Sequence, residues 1–410
     1  MRVRWGLIFT TVILTAGAGL LLWEMRTSGM QAKQLSSIAK TLTTNVKSGP
    51  SPWIRFPEQG PYDRRLGYSR LPALLHQLQG RGYGISAQAR FSPALLDWVA
   101  LGLFPPYMEK DQAGLRLLDH EGEIIFNARH PQRIYARFSE IPPLIVASLL
   151  AIENRELLDA NYPKRNPAIE WDRLFRAIFE FPMGIVDKDH NPSGGSTLAT
   201  QLEKVRHSPD GITRSVQEKL RQVASASLRA YFKGEQTMEM QKRIVVRYLN
   251  SLPLAAVPRF GEVIGLAAGL KAWYGEQLDH VNHLLGTPGS HDNEMALAYK
   301  QVLSLLLAQR RPTEFLVRNP KALFSLTDAY LRLLAGQGVI SFDLRDRALA
   351  LPLRLEASPM RVPFYGYQEY KTANTLRTQL AALLGLDSLY DLDRLDLTVE
   401  TTLDDKTQQG

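Results

Sequence analysis

The chain opens on an uncharged apolar run, Trp5 to Trp23, and closes on an alternating segment, with mostly helical periodicity between them. As a helix the opening run would be about 28 Å long, close to the roughly 30 Å hydrocarbon layer of a bilayer. A tryptophan at each end suits the two interfaces, and Arg2 and Arg4 precede the run. These features predict a cytoplasmic tail over 1–4, a retained transmembrane anchor over 5–23 and an exported remainder. The rival reading is a cleaved signal peptide, because Ala16-Gly17-Ala18 resembles a cleavage site. That tripeptide lies inside the apolar run, and Leu20-Leu21-Leu22-Trp23 follow it.

Residues 24–60 are polar, with Ser48-Gly49-Pro50-Ser51-Pro52 near their end, and read as a juxtamembrane stalk. Residues 61–113 carry short apolar stretches, Leu71 to Leu78 and Leu95 to Leu103, and predict a small helical module of unassigned role. Leu115, Leu117 and Leu118, then Asp119-His120-Glu121-Gly122, then Ile124-Ile125-Phe126 predict a small β-hairpin. From Ile141 to about Leu349 the pattern is helical, which makes 114–350 one mostly α domain. Residues 351–410 form a C-terminal linker region in which Leu397 to Asp404 alternates like a strand. No internal repeat is evident.

Composition narrows the class. A length of 410 residues with 45% hydrophobic content suffices for one large domain plus attachments. Charged residues at 22% argue against a disordered chain. The absence of cysteine excludes disulfides and thiolate metal sites. A net charge of +8 suits anionic partners such as phospholipid head groups, nucleic acid or pyrophosphates. The basic residues are dispersed without a dense tract, which argues against nucleic acid.

Three segments carry candidate chemistry. Pro142-Pro143 opens an apolar helix that Glu153 closes, followed by Asn154-Arg155-Glu156. A carboxylate at the edge of an apolar helix is partly desolvated, which raises its pKa and improves it as a proton acceptor. The plain alternative is a helix-end acid paired with Arg155. Gly194-Gly195-Ser196-Thr197-Leu198-Ala199-Thr200-Gln201-Leu202-Glu203-Lys204 combines glycines for close backbone approach, neutral hydrogen-bonding groups for sugar or phosphate, and a helix N-terminus that favours an anion. Lys204 can meet a phosphate as a point charge. The plain alternative is a helix cap, and the spacing excludes a P-loop. Thr213 is the predicted N-cap of a helix over Arg214 to Phe232. Val216, Leu220, Val223, Ser227 and Tyr231 form its apolar stripe; Arg214, Glu218, Arg221, Gln222 and Ser225 face open water or a cleft. Arg214 and Glu218, four apart, are also spaced for a simple surface pair.

Taken together, these segments resemble the peptidoglycan glycosyltransferase domain, family fifty-one, of bifunctional class A penicillin-binding proteins. Glu153-Asn154-Arg155 is similar to its Glu-Asp-Arg motif, Gly194 to Lys204 to its Gly-Gly-Ser-Thr segment, and Arg214 to Glu218 to its Arg-Lys-x-x-Glu. Tyr248-Leu249-Asn250 resembles the close of the fourth motif and Ala272-Trp273-Tyr274-Gly275 that of the fifth. The departures are Asn154 for Asp, Leu157 for Phe, a missing His after the first motif, Ala199 and Thr200 for a polar pair, Ser215 for Lys and Gln241 for Lys.

The resemblance implies a lysozyme-like glycosyltransferase fold and an enzyme that polymerises lipid II into glycan strands, releasing undecaprenyl pyrophosphate with inversion. It implies Glu153 as general base and Glu218 as second catalytic carboxylate. It implies substrate binding by Asn154, Arg155, Ser196, Thr197, Gln201, Lys204, Arg214, Tyr248 and Asn250. A divalent cation, Mg2+ or Mn2+, held partly by Glu218, is a further implication, as are the bacterial inner membrane and other cell-wall synthesis proteins as partners. Phe175, Ile178, Phe179, Phe181, Met183 and Ile185 read either as an interfacial patch or as a core helix.

Two competing classes remain open at this stage, a muramidase-type hydrolase and a non-catalytic scaffold that binds lipid II. A transpeptidase is disfavoured: Ser37-Ile38-Ala39-Lys40 abuts the membrane segment, and Lys371-Thr372 is followed by Ala373. In the family, Thr-Thr-Leu-Asp precedes the transpeptidase module, and Thr401-Thr402-Leu403-Asp404 stands here almost at the end. His280 and His283 read as surface residues rather than metal ligands.

Overall fold

The computed structural model describes residues 2–171, 196–286, 292–356 and 367–402, the side chains of 2–13 and 367–370 aside. In chain order the elements are α1 (Arg2–Thr27), α2 (Gly29–Thr41), β1 (Thr44–Ser48), α3 (Pro61–Arg65), α4 (Leu71–Gln79), β2 (Ala87–Phe91) and α5 (Pro93–Ala100). Then come β3 (Leu115–Leu118), β4 (Ile124–Asn127), α6 (Pro143–Glu153), α7 (Leu198–His207), α8 (Val216–Ala230), α9 (Met238–Ser251), β5 (Pro253–Val257) and β6 (Gly261–Ile264). The remainder is α10 (Leu266–Tyr274), α11 (Leu278–Gly286), α12 (Asn293–Ala308), α13 (Pro320–Gly336), α14 (Phe342–Ala350), α15 (Tyr367–Leu384), α16 (Leu389–Leu392) and β7 (Leu397–Glu400). The fold is mostly helical, as expected for a lysozyme-like domain.

The main core forms around α12. Its side chains from Met295 to Ala308 are buried on nearly every face, except Leu297, which is half-buried. A helix apolar all round has to be enclosed by others, and α6, α10, α11, α13 and α14 supply the enclosure. Pro143 opens α6 in the first turn, where its missing N–H costs nothing. Ser148 on α6 and Tyr299 on α12 share a buried hydrogen bond of 2.7 Å, which sets the rotation of α6 and so the direction of its last residue, Glu153.

The predicted hairpin is present as β3 and β4, antiparallel, with Gly122 at φ 85 in the turn. Asp119 Oδ1 accepts the N–H groups of Glu121 and Glu123 at 2.9 and 2.8 Å and so closes the turn. The alternating C-terminal segment is β7, which adds to β3 in parallel, Leu115 opposite Leu397. A second apolar cluster, Leu115, Leu117 and Phe126 with Ala381, Leu384, Leu392 and Leu395, joins this sheet to the C-terminal helices. Antiparallel β1–β2 and β5–β6 pairs complete the sheets among the described residues.

The residues read as a stalk contain α2, which packs on α8 through Ala32, Ala39 and Leu42 against Leu228, Ala230 and Tyr231. One residue, Ser28, separates α1 from α2, and Glu24 accepts the N–H groups of Met30 and Gln31 at 2.8 and 2.9 Å. Among the described residues no helix is long and apolar enough to cross a membrane. The predicted span 5–23 is not borne out by that measure, although much of it falls on side chains outside the described set. The predicted patch from Phe175 to Ile185 and the glycines Gly194 and Gly195 also lie outside the described residues.

The third candidate segment departs from its prediction. Helix α8 starts at Val216 and its N-cap is Ser215, whose Oγ accepts the Glu218 N–H at 3.1 Å; Thr213 is not the cap. Its faces are also inverted over the first turns, while Ser227 and Tyr231 of the predicted apolar stripe are buried. Val216 and Leu220 are 72% and 64% exposed, whereas Glu218 and Gln222 are 8% and 1% exposed. Hydrogen bonding explains the inversion: Gln222 Nε2 donates to Ser208 Oγ and Thr213 Oγ1 at 2.9 and 2.8 Å, and Ser225 Oγ accepts the Phe104 N–H at 2.9 Å. A buried polar face is tolerated when its groups are paired in this way.

Candidate active site

Glu153 is the final residue of α6 and only 6% exposed. Its carboxylate is held from two sides. Gln201 Nε2 on α7 donates to Oε2 at 3.0 Å, and Arg310, just beyond α12, donates to Oε1 through Nη2 at 3.0 Å and Nε at 3.3 Å. The predicted desolvation is present, but the partner is Arg310 and not Arg155. Tyr248 on α9 donates to Gln201 Oε1 at 3.2 Å from a fully buried position. Tyr248 therefore orients the group that orients Glu153.

Helix α7 begins with a reciprocal cap. Thr197 Oγ1 accepts the Thr200 N–H and Thr200 Oγ1 accepts the Thr197 N–H, at 3.3 and 3.0 Å. Thr200, one of the departures from the family pattern, is thus the cap residue that closes this turn. Asn154 Oδ1 accepts the Leu198 N–H at 3.4 Å and joins the first candidate segment to the second. Thr197 is buried in this cap, so its hydroxyl serves the helix terminus.

Lys204 lies one turn beyond Gln201, on a cleft of about 530 Å³ whose walls include Lys204, Asp210, Arg310, Ser251 and the β5–β6 hairpin. Burial lowers the Lys204 pKa, and the Glu153 charge opposes that shift. Lys219 on α8 donates to Ser196 Oγ at 2.7 Å. Burial and then the charge of Lys204 bring the Lys219 pKa down to about 8. Lys204 thus acts on Lys219 beside Ser196, and no ion pair involves either lysine among the described residues. Such a pair favours an anion between or beside them.

Glu218 completes the entry to α8. Its Oε2 accepts the Arg214 backbone N–H at 2.8 Å, while its buried Oε1 has no hydrogen-bond partner among the described residues. The Arg214 guanidinium pairs with Asp210 at 2.8 Å on the exposed rim. Ser215, where the family has lysine, is the N-cap, and Lys219 brings a cation into the same region from one turn further on.

Of the predicted site residues, Lys204 lines the cleft itself, and three are engaged elsewhere. Asn250 is occupied with Tyr135, accepting its N–H and donating to its carbonyl, both at 2.9 Å. Arg155 is exposed and lines a shallow surface with Ala147, Leu150 and Val339. Tyr248 stands behind Gln201. Conversely, Lys219 and Arg310 were not anticipated. Lys219 adjoins Glu218 in sequence, and Arg310-Arg311 closes the apolar run of α12; an arginine pair ending a buried helix was the available signal. His280 pairs with Glu294 on the surface at 3.2 Å.

The opposite face of α7 is a closed ionic network. Arg206 reaches Glu109 and Asp111, each at 2.6 Å; His207 lies between Asp63 at 3.0 Å and Glu109 at 2.7 Å; Arg229 reaches Glu203 at 2.7 Å and Glu109 at 2.9 Å. Burial alone would lower the His207 pKa, but Glu109 and Asp63 outweigh it and raise it to about 9. Residues 61–113 are thereby fastened to the helix that carries Gln201 and Lys204.

A helical domain with a buried glutamate bonded to a capped helix, and two neighbouring lysines, holds the groups that glycosyl transfer would use. The transglycosylase family model matches residues 121–333, just over half of the chain. The chain belongs to this family, the glycosyltransferase family fifty-one domain of class A penicillin-binding proteins, and is a peptidoglycan glycosyltransferase. No curated protein matches it.

Proposed function

We propose that the enzyme polymerises lipid II into glycan strands with release of undecaprenyl pyrophosphate and inversion at the anomeric carbon. The observation that carries this reading is the joining of Glu153, through Gln201 on α7, to the Lys204–Lys219 pair. Glu153 takes the proton of the acceptor sugar's 4-hydroxyl. The oxygen attacks the donor's anomeric carbon, and the bond from that carbon to the diphosphate oxygen breaks with its electron pair leaving on the diphosphate. Lys204 and Lys219 stabilise the charge that accumulates there, with Arg214 at the rim. A diphosphate leaving group, rather than the sugar hydroxyl that leaves in a glycoside hydrolase, is what two lysines without an ion pair among the described residues suit.

Gln201 and Arg310 fix the Glu153 rotamer, and Tyr248 fixes Gln201. Ser196 is positioned by Lys219 to meet sugar or phosphate. The unpartnered Glu218 Oε1 fits one ligand position of a divalent cation. Among the described residues no group of three acidic or histidine side chains surrounds it, so the diphosphate and water would supply the other ligands. Bound there, Mg2+ or Mn2+ would add positive charge beside the leaving group.

The anchor reading is part of the proposal. Helix α1 is continuous across 5–23, and Leu14, Leu20, Leu21, Leu22 and Trp23 are exposed. With one residue between α1 and α2, and α2 packed on α8, the domain would be held against the outer face of the bacterial inner membrane. The exposed Val216 and Leu220 suit contact with a polyprenyl tail. Polymerisation of labelled lipid II by the full chain, with and without a divalent ion, tests the function. A folded wild-type protein that makes no polymer under either condition refutes it.

A further inference from the structure

A second cavity, about 90 Å³, adjoins the cleft and is walled by Arg65, Phe260, Glu262, Ile264, Leu278 and Arg394. Arg65, Glu262 and Ile264 also line the cleft that holds Lys204 and Arg310, so the two spaces share a wall. Arg65 and Arg394 come from either side of the family match over 121–333. They are brought together only because α3 and the C-terminal helices fold onto the β5–β6 hairpin.

Arg394 is 9% exposed, stacks 3.4 Å from the Tyr390 ring centroid and donates to the Tyr390 carbonyl at 3.3 Å. Neither arginine forms an ion pair among the described residues. Glu262 acts favourably on both through space, Asp393 and Asp391 also act favourably on Arg394, and the Arg394 charge acts unfavourably on Arg65. The neighbouring His130 is held neutral, its pKa lowered to about 4 by burial and then by these two charges. Two guanidinium groups in one half-buried space call for an anion. The remaining walls are mixed: Ala267 and Ala268 of α10 are small and apolar, Gln132 and Gln277 bring amides, and Lys271 and the Asp279-paired Arg133 bring further positive charge. A water needs roughly 10–15 Å³ of such space, so the cavity admits a group of several heavy atoms. Glu262 in the wall favours a singly charged carboxylate over a doubly charged phosphate.

We propose that this pocket binds the terminal carboxylate of a short peptide with small side chains, the Gln132 and Gln277 amides facing its peptide groups. Its identification as the peptide branch of the glycan strand rests on the function proposed above. Binding of N-acetyl-alanyl-alanine to the full chain in detergent micelles, measured by calorimetry, tests it against the C-terminal amide and inorganic phosphate. The acid binds, the amide binds at least tenfold more weakly, and phosphate binds more weakly than the acid. Arg65→Gln, checked for an unchanged thermal unfolding, loses at least tenfold; Ala268→Phe, which fills the pocket, abolishes binding; and Glu153→Gln retains it. Equal binding of acid and amide, phosphate binding as tight as the acid, or wild-type affinity in both pocket variants overturns the proposal. A chain that polymerises lipid II without binding the acid defeats the pocket alone; one that binds the acid without polymerising defeats the functional reading alone.

Discussion

The two faces of α7 make opposite use of charge. On one, Arg206 and His207 meet Glu109, Asp111 and Asp63 in a buried network whose charges are matched. On the other, Gln201 holds Glu153, and Lys204, which lines the cleft beside Arg206, lies near Lys219 with no ion pair to either lysine among the described residues. The first arrangement ties the flanking segment to the helix through paired charges. The second holds two cations without such partners, which suit an incoming anion. One ten-residue helix thus carries both the support and the site.

Glu153→Gln offers the sharpest break in that contrast. It keeps the size and the Gln201 side of the site but removes the base, so lipid II turnover should fall by about 10²–10⁴-fold with thermal unfolding little changed. An active Glu153→Gln enzyme removes the base assignment. Arg206→Met attacks the ionic network: it leaves Asp111 with only Arg247 at 3.9 Å and Glu109 with only His207 and Arg229. Chemical denaturation should show a loss of about 3–5 kcal/mol, the usual cost of half a buried pair; a loss well under this would mean the network is not a support.

The two faces also titrate in different ways. The His207 pKa rises from 6.5 unfolded to about 9 folded. Its stabilisation is therefore fully present below about pH 6.5 and is lost as pH climbs through about 9. Melting temperature should fall over that window, and His207→Gln should flatten the fall. Lys219, lowered from 10.5 to about 8, is charged below that pH and neutral above it. Turnover should decline above about pH 8, and Lys219→Arg should move the decline upward. Lys219→Gln should cost about tenfold at neutral pH, consistent with one charge-assisted contact of about 1.5 kcal/mol; a pH profile identical to wild type would exclude its role. The smallest effect belongs to Arg214→Gln. The Arg214–Asp210 pair is half-exposed, and such pairs contribute about 0–1 kcal/mol to stability, so unfolding should barely shift.

Local pattern was enough to reveal some parts of this. Pro143 and the apolar run that follows it specify α6 and place a carboxylate at its end. The Ser196 to Lys204 segment reads as a loop entering a helix, and the Asp119 to Gly122 turn as a hairpin. Helix α8 was misread because amphipathicity was taken to bury the apolar side. The partners that bury its polar side, Ser208, Thr213 and the Phe104 N–H, reach it through the folded chain. The role of Asn250 was hidden for the same reason, since its partner Tyr135 is far away in sequence.

By itself the sequence determined that the apolar run after Pro143 and the segment after the Ser196-Thr197 loop are helices, and that two glutamates and several cations accompany that loop. These are properties of short stretches, set by backbone sterics and hydrogen bonding within a few residues. Only the tertiary structure decided that Arg310 pairs with Glu153, that Lys219 stands beside Lys204, and that Arg65 and Arg394 share a pocket. Those pairings join residues far apart in the chain or on different helices. Electrostatic and packing energies depend on distances through space, which the helix-to-helix packing alone sets.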